Sequence, residues 1–257
     1  MSIYRTIEQT EFEDIASRIL YEDNHYLILN KRSGEIVQGD KTGDECLAET
    51  LKAFVAQRDS KPGAVFMGVA HRLDRPVSGA VLFAKTSKGL ERINALLRNG
   101  GVHKTYWAVV CSQPPVSESQ SQDGWTGLTS WLYRNEKQNK TYIYKGKIHK
   151  TPEGQEIAPK GYKAAKLKYR FIKATDRYFI VEVQLLTGRH HQIRAQLASI
   201  GCPIKGDLKY GAPRSNKDGS ISLHARYLEF KRPIGDGQTI QVTAPLPEEF
   251  SKIAGEF

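Results

Sequence analysis

The chain has little cysteine, and the few cysteines are far apart. Only Cys46, Cys111 and Cys202 occur among the 257 residues, and no Cys-x-x-Cys pair exists. This pattern argues against a disulfide framework and against a structural zinc site. It fits a reducing compartment, so a cytoplasmic location is expected.

Long apolar runs are missing as well. No uninterrupted apolar run reaches about 18 residues, so no membrane span is expected. The first six residues contain no apolar segment and acidic residues follow them, so no signal peptide is expected. No internal repeat is found in the sequence.

Negative charge is scarce relative to positive charge. The chain has 38 Lys and Arg against 28 Asp and Glu, which gives a formal net charge of +10 and a pI near 9.4. This excess favours a polyanionic partner, above all nucleic acid. The alternatives are a merely soluble basic protein and attraction to anionic lipid, but no polybasic amphipathic helix stands out.

The hydrophobic pattern predicts many strands and a few scattered helices. Helices are predicted in residues 8–19, 87–98 and 190–200, and a further helix is predicted over Leu47 to Val55, with Asp44 as its candidate N-terminal cap. Strands are predicted at 26–31, 65–70, 79–84, 103–110, 166–174, 178–186, 223–230 and 239–243. This mixture is typical of an α+β fold with a mostly antiparallel sheet. Residues 112–124 are of low complexity and predict a surface loop or a small linker. Residues 129–150 are polar and basic, and their tyrosine-bearing part, 133–147, is either an RNA-contacting surface or simply a solvated one.

A charged loop between two apolar runs is the first candidate for a functional site. In residues 71–79, Asp74 lies between Arg72 and Arg75 and is followed by Pro, Val, Ser and Gly. The neighbouring cations favour the ionised carboxylate, and a loop between core strands can hold a catalytic group rigidly. The alternative is a structural turn in which Asp74 accepts backbone hydrogen bonds and pairs with a neighbouring Arg.

Two further segments carry polar chemistry. Residues 187–194 lie between a predicted strand and a predicted helix, whose first N–H groups attract anions. Adjacent His190 and His191 are expected on different helix faces, and no nearby carboxylate or cysteine completes a metal site. On a predicted strand, Lys104 and Tyr106 share a face, where a tyrosine could stack on a base or simply be half-buried.

These segments together resemble the RluA-type pseudouridine synthases. The resemblance rests on His71-Arg72-Leu73-Asp74 with Ser78-Gly79, on Lys104-Thr105-Tyr106, and on Thr187-Gly188-Arg189 with His191-Gln192-Ile193-Arg194. It extends through residues 201–207, 210–211 and 223–225 and covers about residues 18–250. Val77 departs from the family, in which many members have Thr. An accessory N-terminal RNA-binding domain, which some relatives carry, is not expected.

The resemblance implies a fold and a reaction. The fold is α+β, with a mostly antiparallel mixed sheet, flanking helices and a central catalytic cleft, in a single catalytic domain over 1–257 with 1–17 as an N-terminal extension. The reaction isomerises uridine in RNA without redox change, so neither a cofactor nor a metal is expected. RNA is the implied partner, and a monomer is expected.

The resemblance also implies residue roles. Asp74 is the nucleophile or base, Tyr106 the stacking residue and Arg194 the ion-pair partner of Asp74. Arg72 fills the space of the flipped uridine, and Arg189 holds phosphate or loop structure. Lys104, His191 and Leu223 are further RNA-contacting candidates.

The RNA target stays open between two classes. Large-subunit ribosomal RNA is favoured by the frequency of that target in the family, and transfer RNA is the alternative. A non-catalytic RNA-binding module of the same fold is a further alternative. A metal-dependent nuclease is disfavoured because the sequence shows no carboxylate cluster for two metals.

Overall fold

The computed structural model describes residues 3–39, 43–115 and 123–255. The helices are α1 (Gln9–Ser17), α2 (Leu47–Arg58), α3 (Ser87–Arg98), α4 (Gln192–Ser199) and α5 (Glu248–Ala254), and a 3-10 helix spans Leu208–Tyr210. The strands are β1 (Ile19–Glu22), β2 (Tyr26–Lys31), β3 (Gly68–Val69), β4 (Ser78–Ala84), β5 (Val102–Val110), β6 (Thr126–Asn135), β7 (Lys140–Ile143), β8 (Lys163–Ala174), β9 (Phe179–Leu185), β10 (Leu223–Lys231) and β11 (Thr239–Thr243).

The chain forms two compact units. The first unit contains residues 1–104 and 224–247, and the second contains 105–223 and 248–257. In the first unit the strands lie in the order β1-β2-β4-β10, with β3 paired to β4 and β11 paired to β10. The β4–β10 pair is parallel and the other pairs of this unit are antiparallel, so its sheet is mixed.

The core of the first unit forms around β2 and β4. All seven residues of β4 are buried, as expected of a strand that is covered on both faces. Helix α3 packs its apolar side against this sheet, and its N-terminus is capped by Thr86, whose side chain accepts a hydrogen bond from the Gly89 N–H. One core cluster contains Tyr26, Ile28, Ala80, Leu82, Ala84, Ile93, Val102, Leu228, Phe230, Ile240, Val242 and Ala244.

The second unit contains a sheet with the strand order β5-β9-β8-β6-β7, in which every neighbouring pair is antiparallel. Buried and exposed side chains alternate along the first part of β8. The face that carries Ala165 packs against Leu132 and against Ala195 of α4. Because side chains alternate between faces, Lys166 and Lys168 lie on the opposite face of the sheet.

The structure confirms the α+β class and the mostly antiparallel mixed sheet. The predicted helices in 8–19, 87–98 and 190–200 are confirmed as α1, α3 and α4, and the predicted strand at 239–243 is β11. The single catalytic domain and the central cleft stay predictions. No helix in the described part of the chain is both long enough and apolar enough to span a membrane.

Three expectations need correction or a limit. Asp44 does not cap α2, which begins after Cys46, and its carboxylate instead pairs with Arg75 at 2.9 Å. The basic stretch 129–150 was not assigned to strands, but it contains most of β6 and all of β7. Of the low-complexity segment 112–124, residues 116–122 lie outside the described residues.

Candidate active site

The Asp74 loop begins where the chain leaves the sheet of the first unit. Strand β3 pairs with β4, and the Ala70 N–H still donates to the Leu82 carbonyl at 3.3 Å. At the next step the Leu82 N–H donates to Nε2 of His71 at 3.2 Å, so an imidazole replaces a backbone carbonyl. Burial and then the positive charge of Lys104 lower the pKa of His71 to about 3, which keeps this acceptor neutral.

The turn itself is closed by backbone and side-chain hydrogen bonds. The Val77 N–H donates to the Asp74 carbonyl at 3.0 Å, and the Gly34 N–H donates to the Arg75 carbonyl at 2.8 Å. The Ser33 hydroxyl donates to the Pro76 carbonyl at 3.2 Å. The backbone of the loop is therefore fixed at four successive residues, and Asp74 stands on a rigid turn as expected from the sequence.

The buried side chain of Lys31 fixes this turn through hydrogen bonds to backbone carbonyls. It is only 1% exposed, and its ammonium donates to the carbonyls of Arg32, Arg75 and Val77 at 2.9, 3.1 and 2.6 Å. Burial lowers the pKa of Lys31 to about 8, against the opposing effect of the Glu35 and Asp74 carboxylates. A buried cation thus lies within electrostatic range of Asp74, on the residue that fixes its loop.

The far end of the loop is fixed to β10. The Ser78 hydroxyl and Nδ1 of His224 are 2.9 Å apart, and Nε2 of His224 lies 3.3 Å from the Ala244 carbonyl. Because a carbonyl only accepts, Nε2 carries the proton and Nδ1 accepts from Ser78. Gly79 has a φ of +114°, and a Cβ there would lie 2.4 Å from the Ala225 carbonyl oxygen, so only glycine fits.

The cationic residues of the first unit differ in burial. Arg72 and Arg75 are exposed, and Arg75 is engaged by Asp44 and by the Gly34 carbonyl. Lys104 is half-buried at the end of the first unit on β5, and burial lowers its pKa. The structure therefore places Arg72 where an RNA could reach it.

In the second unit the sequence candidates lie on β5, on α4, in the loop that precedes α4 and at the first residue of β10. Tyr106 is 5% exposed on β5, and Leu223 is buried at the first position of β10. Arg194 is also buried, and its Nε and Nη2 donate to the two carboxylate oxygens of Asp207 at 2.7 and 2.9 Å. This bidentate pair fixes the plane of the guanidinium.

Tyr210 extends the support of Arg194. The Arg194 guanidinium lies 5.1 Å from the centre of the Tyr210 ring. The Tyr210 hydroxyl accepts from the Thr141 N–H at 2.8 Å and donates to Nδ1 of His191 at 2.9 Å. Burial, followed by the charge of Arg194, lowers the pKa of His191 to about 2, so this imidazole is neutral and serves as an acceptor.

The expectation that His190 and His191 point to different helix faces is wrong. Both precede α4, and His191 has a φ of 49°, which turns the chain so that the two rings stack at 3.7 Å. His190 is held by Thr141 and Asn139 at 2.8 and 3.0 Å. Across the described residues, no group of three or more His, Cys, Asp or Glu side chains could hold a metal ion.

The loop before α4 is held by Gln192 and Arg189. The side-chain oxygen of Gln192 accepts from the Arg189 N–H at 3.0 Å and from the Thr187 hydroxyl at 2.8 Å. The amide nitrogen of Gln192 donates to the Lys166 carbonyl at 3.0 Å, and Nε of Arg189 donates to the Ala164 carbonyl at 3.1 Å. Arg189 is thus a loop-holding residue whose side chain is still exposed.

A comparison with known protein families identifies the family of the chain. The family described as RNA pseudouridylate synthase matches residues 25–199. The chain belongs to this family. It is a pseudouridine synthase of the RluA type, an isomerase that converts uridine to pseudouridine in RNA.

Named relatives support the same assignment. The synthase is 31% identical to "Ribosomal large subunit pseudouridine synthase C" of Escherichia coli (strain K12), over 91% of this chain and 68% of that protein. It is 28% identical to "Pseudouridylate synthase RPUSD4, mitochondrial" of Xenopus tropicalis, over 93% of this chain and 80% of that protein. Among solved structures, the human RNA pseudouridylate synthase domain containing 4 has a TM-score of 0.73 at 22% identity, covering 93% of this chain and 92% of the other, which supports the fold.

Several residues that shape the synthase site were not singled out as site residues from the sequence. Lys31, His224, Asp207 and Tyr210 carry no local pattern that marks them, because their partners are distant along the chain. The sequence offered only indirect signals for them. Lys31 ends an apolar strand, and Asp207, Tyr210 and His224 lie in segments that resemble the family. Such residues become visible only when the fold brings their partners together.

Proposed function

We propose that this synthase modifies one or more uridines of large-subunit ribosomal RNA and that Asp74 is its catalytic carboxylate. The observation that carries the residue assignment is the Asp74 turn, which is fixed by hydrogen bonds from Lys31 to the Val77 carbonyl, from Ser33 to the Pro76 carbonyl, and between Ser78 and His224. The ribosomal target is supported by the printed name of the 31% identical relative. Transfer RNA is the alternative target, for which no contact in this chain speaks specifically.

The reaction needs a fixed carboxylate beside the ribose of the target. The N1–C1′ bond of uridine breaks, a C5–C1′ bond forms, C5 loses a proton and N1 gains one, so electrons balance without an oxidant. Asp74 would act on the ribose, either by attack at C1′ or by abstraction of the 2′ proton. The rigid turn supports this role because a pre-positioned group needs little reorganisation during reaction.

The residues of the second unit would contact the detached uracil and stabilise the negative charge of the Asp74 carboxylate. Tyr106 is proposed to stack on the detached uracil and to assist removal of the C5 proton. Arg194 is proposed as the cation that favours the ionised form of Asp74, and Asp207 fixes the orientation of its guanidinium. Neutral His191 is proposed to support this arrangement through Tyr210 rather than to contact phosphate as a cation.

The exposed cations would hold the RNA around the reacting nucleotide. Flipping a uridine out of a stack costs a few kcal/mol, which phosphate contacts from a basic surface can offset. Arg72 is proposed to occupy the space of the flipped base, and Lys104 and Arg189 are proposed to contact phosphate. Leu223 is kept as a proposed contact to the base. A cytoplasmic location and a monomeric state stay predictions.

Asp74→Asn tests the residue assignment. RNA labelled with tritium at uracil C5 releases tritium when the isomerisation occurs, and we expect the wild type to release it and Asp74→Asn to release none. Binding of the same RNA should persist because Asn keeps the size of the side chain. Asp176→Asn, in an exposed loop, is the matched control and should keep wild-type turnover. Substantial tritium release by Asp74→Asn would overturn the assignment.

A further inference from the structure

The sheet of the second unit has a face that α4 does not cover. Strand β6 contributes Tyr133 to this face, β7 contributes Tyr142, and β8 contributes Lys166, Lys168 and Arg170. All five side chains are exposed, whereas the alternate positions of β8 are buried on the α4 side up to Tyr169. We refer to these five residues as the open face.

The basic part of the open face is accessible because its neighbours across the strands are small. Lys166 lies opposite Thr129, and Lys168 lies opposite Gly127, where an added Cβ would meet nothing within 4 Å. Residues two apart on a strand project about 6.8 Å from each other on the same side. Over residues 3–39, 43–115 and 123–255, no ion pair engages either lysine. Arg170 differs, because it pairs with Glu182.

The aromatic part of the open face lies at the β6–β7 hairpin. Tyr133 and Tyr142 are directly opposite each other in the ladder and are 42% and 39% exposed. Tyr162 braces this part, with its ring 5.6 Å from that of Tyr133 and 5.1 Å from that of Tyr144. Two tyrosine rings therefore stay accessible on a supported surface, where they could stack on a ligand.

We propose that the open face binds a single-stranded segment of the RNA substrate other than the reacting nucleotide, because the ladder places Tyr106 on the opposite, α4-facing side of the sheet. Tyr133 and Tyr142 would stack on unpaired bases, and Lys166 and Lys168 would meet phosphates of the same strand. A sheet that combines exposed aromatic rings with cations is suited to this ligand because every base has a face for stacking and every linkage a negative charge. The proposal rests on the proposed function in that the RNA bound here is the substrate of the synthase.

The basic part is tested by the salt dependence of RNA binding. We would measure fluorescence anisotropy of a labelled oligouridine of about 16 nucleotides with the wild type and with Lys166→Ala/Lys168→Ala. Because a single strand gives a slope of about −0.7 per neutralised phosphate, we expect the slope of log K against log salt to fall in magnitude by about 1.4. Lys88→Ala/Lys217→Ala removes the same charge from other exposed positions and should leave the slope unchanged.

The aromatic part is tested by measuring the affinity for the oligouridine, which should fall while the slope of log K against log salt stays unchanged. Tyr133→Ala and Tyr142→Ala should each weaken binding of the oligouridine by roughly 5- to 100-fold without changing the slope. A duplex RNA of equal length should bind without sensitivity to either substitution. Thermal unfolding of each variant checks that the fold persists, and Tyr133→Phe should restore binding because it keeps the ring.

Each failure identifies which proposal is wrong. An unchanged slope in Lys166→Ala/Lys168→Ala, or an equal loss in the control pair, would overturn the open-face proposal. Unaltered affinity in Tyr133→Ala and Tyr142→Ala would overturn its stacking part. Tritium release by the wild type is measured on the same preparations, and its absence would contradict the proposed function while leaving the binding result standing.

Discussion

The buried pair of Arg194 and Asp207 gives a quantitative prediction for stability. Both side chains are almost fully buried, 5% and 1% exposed, and two short hydrogen bonds join them. Asp207→Leu removes the carboxylate and leaves the guanidinium without this partner in a water-poor environment. Breaking a buried pair from one side costs about 3–5 kcal/mol. For a chain of this size, that corresponds to a fall in Tm of about 6–20 °C.

A double variant separates the structural role of the pair from its role in catalysis. Arg194→Met/Asp207→Leu replaces both charges by apolar groups and should recover most of the lost stability, because neither charge of the buried pair remains. It should still be inactive if Arg194 serves the reaction. Calorimetry gives the Tm values, and tritium release gives the activity.

Two outcomes would contradict these expectations. Asp176→Ala, at an exposed position, is the control and should stay within about 0.5 kcal/mol of the wild type. A Tm for Asp207→Leu that equals that of the control would show that the pair contributes nothing. Full turnover by the double variant would remove Arg194 from the mechanism.

Two further predictions concern the Asp74 turn. Lys31→Met should lower the free energy of unfolding by about 2–4 kcal/mol and reduce turnover, because the Arg32 and Val77 carbonyls lose their ammonium donor. The Arg75 carbonyl keeps its hydrogen bond from the Gly34 N–H. Denaturant unfolding measures the loss of stability, and a midpoint equal to that of the wild type would contradict it. Burial lowers the pKa of His224 to about 4, from about 6.5 in the unfolded chain. The neutral imidazole therefore contributes its full share to the stability of the folded state above pH 6.5, and about 3 kcal/mol of that stability is lost as the pH falls to 4. His224→Gln should flatten this part of the stability–pH curve, and an unchanged curve would assign the acid loss to other groups.

Regular elements with a clear hydrophobic period were predictable from the sequence. The apolar run of β2 and the spacing of α3 gave both elements with correct bounds. The β6–β7 hairpin was missed because its outward positions carry Tyr133 and Tyr142, large rings that blur the alternation on which strand prediction depends. The helix cap was misplaced because Asp44, a good capping residue by type, is drawn to Arg75 instead.

The candidate site was predictable only where chemistry is encoded locally. The charged loop around Asp74 could be recognised because apolar strands flank it. The support of Arg194 could not, since Asp207 and Tyr210 reach it through a 3-10 helix that has no periodic signal. The stacking of the two histidines also depends on the left-handed backbone conformation of His191. The presence of a histidine in the sequence does not predict this conformation.

A pseudouridine map of large-subunit ribosomal RNA from cells that lack this gene shows whether the synthase acts on that RNA through Asp74. The map is compared after complementation with the wild type and with Asp74→Asn. We predict that at least one pseudouridine disappears from that RNA without the gene, returns with the wild type and stays absent with Asp74→Asn. Return of the modification with Asp74→Asn would contradict the role of Asp74, and a loss confined to transfer RNA would contradict the ribosomal target.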